Sequence, residues 1–351
     1  HDMPPFNKSA MDGYACRAAD LPGPLHCLET IPAGGTPRYA INEGRCARVM
    51  TGAIVPEGAD RVFMVEESII LEDNSVRFTG AEDPDNIFFK GSDVKSGDTV
   101  LTRGTLLGPS HLAVLAAAGR SESRVAKPRR VGILATGSEL VPPNEPVAGA
   151  SIRETSGAQL IGQIEACGCV PNYYGIVEDD REKIAALIQT AAAENDVVLI
   201  CGGSSVGDFD FVPELLARSG FEIAFDRVAM QPGKPLTFAR GENKTCFGMP
   251  GNPVSTYMVM EAFVKPFLFR SMGHDFKPSV IQLKLGKGMR RRKTDREAFV
   301  PARIARPDTV ERLVYHGSAH IHAISQADGW IIFPRGKSEL EEGSLVDFRQ
   351  L

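Results

Sequence analysis

Val197-Val198-Leu199-Ile200-Cys201-Gly202-Gly203-Ser204-Ser205-Val206-Gly207 decides how this chain reads. The apolar run Val197 to Ile200 is too continuous for a strand with one wet face. It predicts a strand covered on both sides, as in a parallel sheet. The glycine loop after it stands where such a strand hands over to a helix. A second loop, Gly248-Met249-Pro250-Gly251-Asn252-Pro253, follows Thr245-Cys246-Phe247 and precedes an apolar helical stretch. Gln231-Pro232-Gly233-Lys234-Pro235 lies between them. Glycine lets backbone approach a ligand closely, and a helix N-terminus presents unpaired N–H groups to an anion. Loops at the carboxyl ends of neighbouring parallel strands converge on one crevice, which suits a phosphorylated small molecule.

Outward from this stretch, residues 129–273 alternate strand and helix. Val131 to Ala135 and Tyr173 to Val177 read as strands; Ala158 to Cys167, Arg181 to Ala193 and Pro213 to Arg218 read as helices. Gly168, between Cys167 and Cys169, suits the left-handed residue that ends a helix. Residues 1–98 carry short alternating runs such as Arg61 to Val65, separated by turn clusters, and predict a β-rich domain. Residues 99–128 hold one short helix, from Pro109 towards Gly119, and a linker-like Ala126-Lys127-Pro128. Residues 274–351 return to β texture, with Val280 to Leu285 and Trp330 to Phe333. His320 and His322 alternate there in a predicted strand, which suits a structural role better than ligation. The predicted fold class is α/β plus β modules: a central doubly wound, mainly parallel sheet flanked by an N-terminal β domain and a C-terminal barrel-like β domain.

Composition narrows the function. The 351 residues are 43% hydrophobic and 24% charged, with a formal net charge of −5. That balance disfavours non-specific nucleic-acid binding, and no apolar stretch approaches a membrane span. Seven cysteines in scattered positions, without CxxC pairs, argue against a zinc site or a disulfide frame and for a reducing, cytoplasmic setting.

Two groups of residues carry chemistry. Gly202, Gly203, Ser204, Ser205, Gly207, Pro250, Gly251, Asn252 and Ser255 form the anion cradle, with Lys234 as a point charge. Asn252 is expected to cap the helix that Pro253 opens. One such loop alone reads as a tight βα turn; three in one domain favour a ligand site. Glu139, Glu178-Asp179-Asp180, Asp208 and Asp210 follow predicted strands or the glycine loop and are expected at the same sheet edge. Carboxylates beside bound phosphate point to Mg²⁺ or a similar divalent cation, because a hard cation takes oxygen ligands. Asp180 and Asp210 also stand where helix caps belong. Arg290-Arg291-Arg292-Lys293 reads as a solvated face or as an anion-guiding patch.

Together these motifs resemble the MoeA/gephyrin family of molybdopterin molybdenumtransferases. Ser9-Ala10-Met11-Asp12-Gly13-Tyr14-Ala15, Thr51-Gly52-Ala53, Pro56-Glu57-Gly58-Ala59-Asp60, Thr136-Gly137-Ser138-Glu139-Leu140, the Gly202–Gly207 loop, Pro232-Gly233-Lys234-Pro235 and Pro250-Gly251-Asn252-Pro253-Val254-Ser255 occur in the family's order across nearly the whole chain. The resemblance implies a central molybdopterin-binding domain similar to MoaB and Mog. It implies insertion of molybdenum from molybdate into adenylylated molybdopterin with release of AMP. It implies a homodimer whose β module faces the partner's pterin domain, which gives Asp12 and Asp93 a role beside Glu139, Asp179 and Asp210 as catalytic residues. The family's N-terminal segment is expected to be truncated here, leaving residues 99–128 as the remainder of an extended linking domain. Three positions depart from the family pattern: Gln231 stands for a usual Lys, Glu154-Thr155-Ser156 for an Asp-Ser/Thr-Asn motif, and Ser204 for Val or Thr. The alternative they raise is a molybdopterin carrier or sensor of the same fold without transfer activity.

Overall fold

The computed structural model describes residues 1–81, 85–202 and 211–351, and it divides into two compact units, 1–123 and 124–351.

In the first unit, a four-stranded sheet runs in the order His26–Ile31, Arg45–Val49, Gly13–Cys16, Arg61–Met64. Alternation along the strands fills both faces. Ala15, Ala47, Val49 and Val62 point to one core; Tyr14, Cys46 and Phe63 point to the other, where Phe63 packs between Tyr14 and Phe78. The expected short helix is Pro109–Ala117, with proline at its first turn.

The second unit begins with a six-stranded sheet in the order Val170–Val177, Arg130–Thr136, Val197–Cys201, Thr245–Met249, Pro235–Arg240, Glu222–Arg227. The first four are mutually parallel; Pro235–Arg240 runs against both of its neighbours. The sheet is therefore mixed at one edge, as the mainly parallel reading allows. Val197 and Leu199 face one core while Val198 and Ile200 face the other, so both sides of the central strand are dry. Ser156–Ala166 and the long run from Pro253 to Ser271 cover one face; Arg181–Glu194 and Val212–Arg218 cover the other. Asp180 caps Arg181–Glu194 through bonds from the Glu182 and Lys183 amides at 3.0 and 3.1 Å. Gly168, at φ +69°, ends Ser156–Ala166 as expected.

Beyond residue 280 the chain closes a five-stranded barrel. Glu297–Arg306 pairs with Thr309–Arg312, then come Val280–Leu285, Leu345–Gln350 and Gly329–Phe333, which returns to Glu297–Arg306. Closure leaves none of these five with two free edges. The expected strand through His320 and His322 is corrected. His320 precedes a 3-10 turn, Ile321–Gln326, because the backbone bonds here are local: His320 N–H reaches the Gly317 carbonyl and Ala323 N–H reaches that of His320.

The barrel is stitched to the α/β sheet. The two-residue strand Met230–Gln231 pairs in parallel with Glu297–Ala298. Val254 N–H donates to the Ser318 carbonyl at 3.0 Å, and Arg349, 7% exposed, donates to the Glu261 carbonyl at 2.5 Å. Tyr257 packs on the buried Trp330, their ring centres 5.9 Å apart. No described helix is long and apolar enough to cross a membrane.

Candidate active site

Parallel pairing brings the carboxyl ends of Arg130–Thr136, Val197–Cys201 and Thr245–Met249 together. Gly202 has φ +102°, and a Cβ there would collide with the Thr136 carbonyl oxygen. Only glycine fits both constraints. Gly251 approaches it from the next strand: a Cβ on Gly251 would stand 3.5 Å from the Gly202 Cα. The two glycine loops therefore start from one point on the sheet edge. Gly203, Ser204, Ser205, Gly207 and Asp210 lie outside the described residues.

The third loop joins the same edge. Because Pro235–Arg240 is antiparallel, the Gln231–Pro235 loop enters the sheet from the carboxyl side. Gly233, at φ +105°, lies against Met230, Val259 and the Ser255 carbonyl. Lys234 is exposed, and its ammonium has no acidic partner among the described residues.

Between this loop, the start of the Pro253 helix and the barrel lies a cavity of about 750 Å³. Its lining includes Gln231, Lys234, Asn252, Ser255, Arg312 and Ser318, together with Arg290, Arg291 and Arg296, and no acidic residue. The cations differ in availability. Arg291 lies 4.5 Å from the Phe333 ring centre and spends its guanidinium on the carbonyls of Lys337, Arg296 and Pro334; it is a structural brace. Arg290 pairs with Glu339 at 2.8 Å. Lys234 and Arg312 remain without acidic partners among the described residues. Of the basic run read in the sequence, Arg290 and Arg291 reach this cavity and Arg292 and Lys293 do not.

Asn252 occupies the N-cap position but its side chain makes no capping bond, which corrects the expected cap. The Thr256 hydroxyl donates to the Pro250 carbonyl at 2.5 Å, which ties the first turn to the loop without capping its N–H groups. The Asn252 amide is left to line the cavity. Pro250 lies in the bend between strand and helix.

Glu139 and Asp179 follow the adjacent strands Arg130–Thr136 and Val170–Val177, both exposed. Asp179 accepts from the Ser138 amide at 3.2 Å, and Ser138 Oγ accepts from the Asp179 amide at 3.1 Å. Neither carboxylate pairs with a cation among the described residues. Those residues contain no group of three or more His, Cys, Asp or Glu side chains arranged to hold a metal.

In the first unit, Asp12 accepts from the Thr51 N–H at 2.6 Å and from its hydroxyl at 2.7 Å. These bonds pull the Asp12 carboxyl below the ordinary range. Two motifs separate in sequence are thus one structure. Asp93 is exposed and accepts from the Ser92 hydroxyl at 3.3 Å.

The sequence marked Glu154 only as part of a departure from the family motif, with no sign of its buried contacts. Glu154 is 4% exposed, accepts from the Gly157 N–H at 2.8 Å, and accepts from the Tyr173 hydroxyl at 3.1 Å. Burial and the Glu154 carboxylate push the Tyr173 phenol up. Glu154 thus holds one of the N–H groups that open Ser156–Ala166. No local pattern signals a partner 19 residues downstream.

A parallel sheet with glycine loops converging at its carboxyl edge, joined to a barrel across a basic cavity, defines an α/β protein that holds small anionic ligands. The comparisons make the identity specific: the chain belongs to the MoeA family of molybdopterin molybdenumtransferases. Residues 1–119 match the MoeA N-terminal region (domain I and II), 132–270 the probable molybdopterin binding domain, and 283–351 the MoeA C-terminal region (domain IV). Molybdopterin molybdenumtransferase of Staphylococcus aureus is 32% identical over 358 residues, spanning 99% of this chain and 85% of that protein. That of Staphylococcus epidermidis is 32% identical over 357 residues, with the same coverage. The molybdopterin biosynthesis protein MoeA of Pyrococcus horikoshii OT3 has the same fold, with a TM-score of 0.80 at 27% identity over 100% of this chain and 89% of that one.

The glycine geometry makes a discriminating prediction. Gly202→Ala should destabilise the second unit by about 1–3 kcal/mol, through a strained φ and the Thr136 clash. Gly251→Ala meets only ordinary contact and should leave the Tm near that of the wild type. Thermal unfolding of both variants checks this; equal losses would mean that the two loops do not meet as described.

Proposed function

We propose that this chain acts in molybdenum cofactor biosynthesis by inserting molybdenum from molybdate into adenylylated molybdopterin, with release of AMP. Membership of the molybdenumtransferase family supports the activity. The observation that carries the site assignment is the acid-free cavity of about 750 Å³, where Lys234 and Arg312 stand beside Gln231, Asn252 and Ser255. Its chemistry suits a tetrahedral oxyanion: two cations, two amides and a hydroxyl.

The protein's task is to bring two anions together. A pair of unit charges 4 Å apart repels by about 1 kcal/mol in water and about 4 kcal/mol at the effective dielectric of a protein surface. Lys234 and Arg312 offset that repulsion and orient the oxyanion. Gly202 and Gly251, with the Gly203–Gly207 loop, let backbone reach the phosphate of the adenylylated pterin. Ser255 donates a hydroxyl hydrogen bond. Gln231, where relatives of this family usually carry Lys, still donates but brings no charge. Glu139 and Asp179 fit a divalent cation in donor type, being oxygen ligands without cationic partners. With Asp210 they would hold Mg²⁺, which supplies charge neutralisation for the phosphoanhydride.

The reading extends to assembly: an isologous, cytoplasmic homodimer in which Asp12 and Asp93 of one chain serve the site of its partner. Two acidic motifs in a β module without a phosphate loop motivate it. Mixing Asp12→Ala and Asp210→Ala proteins, each inactive alone, should restore molybdate-dependent AMP release in exchanged dimers. Proven exchange without recovery would remove the cross-subunit site. Wild-type protein that binds adenylylated molybdopterin but releases no AMP with molybdate and Mg²⁺ would favour the carrier reading.

Calorimetric titration tests the oxyanion site. A charge-assisted hydrogen bond contributes about 1.5–3 kcal/mol, or roughly ten- to a hundredfold in affinity. Lys234→Ala should weaken molybdate binding by that factor, and Gln231→Lys should tighten it. Unchanged affinity in both would show that the Gln231–Pro235 loop does not face the anion.

A further inference from the structure

Of the seven cysteines, Cys27 alone is not buried. It lies on His26–Ile31, directly opposite Cys46 on Arg45–Val49. Paired strands run about 4.8 Å apart, inside the roughly 4.4–6.8 Å Cα separation that a disulfide spans. Both side chains lie on the same face of the sheet, in the cluster formed by Tyr14, Leu25 and Phe63. As a thiol, Cys27 donates to the Glu29 carbonyl at 3.4 Å. As a thiolate it is held by Cys46, against the opposing effect of burial, and by an N–H from Arg48. These bonds pull the Cys27 thiol down to about 6, while the same contact and burial push Cys46 up. One strand pair thus carries a partly exposed cysteine directly opposite a buried one, the arrangement of an attacking and a resolving cysteine.

We propose that Cys27 and Cys46 are a site of reversible oxidation, closed to a disulfide by a hydroperoxide and reopened by a dithiol reductant. The Cys27 thiolate attacks the terminal peroxide oxygen; the O–O bond breaks, and an alcohol or water leaves with one proton. Cys27 is then a sulfenic acid. The Cys46 sulfur attacks it, an S–S bond forms, and water leaves. Two thiols lose two electrons and the peroxide gains them. The disulfide would tie together two strands of the first unit, one of which leads directly into Thr51, the residue that holds Asp12. Any effect on activity rests on the function proposed above; the oxidation itself does not.

The test uses the full chain at pH 7 with hydrogen peroxide. Free thiols should fall from seven to five and return with dithiothreitol. Trypsin cuts after Arg17, Arg38, Arg45 and Arg48, so Cys16, Cys27 and Cys46 fall in separate peptides. A non-reducing digest should contain the Cys27–Cys46 pair. Before oxidation, iodoacetamide should alkylate Cys27 at least ten times faster than any other cysteine. In Cys46→Ser, whose hydroxyl still donates, peroxide should leave a sulfenic acid on Cys27 that dimedone traps. If that variant fails to fold, the alkylation rates and peptide map of the wild type stand alone. A Cys16–Cys46 link, seven surviving thiols, or a Cys27 no more reactive than the rest would overturn the proposal.

Discussion

The parallel pairing of Met230–Gln231 with Glu297–Ala298 is the constraint on which the site depends. Two residues of strand look trivial, yet they fix the loop that carries Lys234 against the barrel wall. Without it the loop would hang from Pro235–Arg240 by one end. Each backbone bond contributes only about 0.5–1.5 kcal/mol net. The stitch holds because other contacts enforce it: Val254 on the Ser318 carbonyl, Arg349 on the Glu261 carbonyl, and Tyr257 on Trp330. The core follows suit, since Phe299, Ile324 and Trp330 from the C-terminal region pack with Met258 and Val259 of the α/β region.

Electrostatics is then a matter of placement rather than amount. The chain as a whole is acidic, at −5, and the cavity is still basic because its acids lie elsewhere. The cations inside do different work. Arg291 is spent on three carbonyls and stiffens the barrel. Lys234 and Arg312 line the cavity with no acidic partner among the described residues. Of Arg290-Arg291-Arg292-Lys293, two are already engaged by protein groups and two do not line the cavity.

Much of this architecture was legible in the sequence because it is local. Val197–Ile200 announced a doubly buried strand, and Gly202 and Gly251 announced close backbone approach; the structure gives each a specific neighbour. What was not legible depends on distant partners. Glu154 caps a helix and meets Tyr173 across the fold. Arg312 and Ser318 come from the barrel to complete a cavity begun by the α/β domain. His320 looked like strand by alternation, but local i+3 bonds took it into a turn. Asn252 looked like a cap by type, but its side chain makes no capping bond.

The proposed oxyanion site lies where the Gln231–Pro235 loop meets the barrel. Anomalous diffraction from crystals soaked in molybdate tests it most directly, because molybdenum marks its own position. The expected result is a peak in the cavity within hydrogen-bond reach of Lys234 and Ser255. A well-occupied peak elsewhere, with this cavity empty, would contradict it.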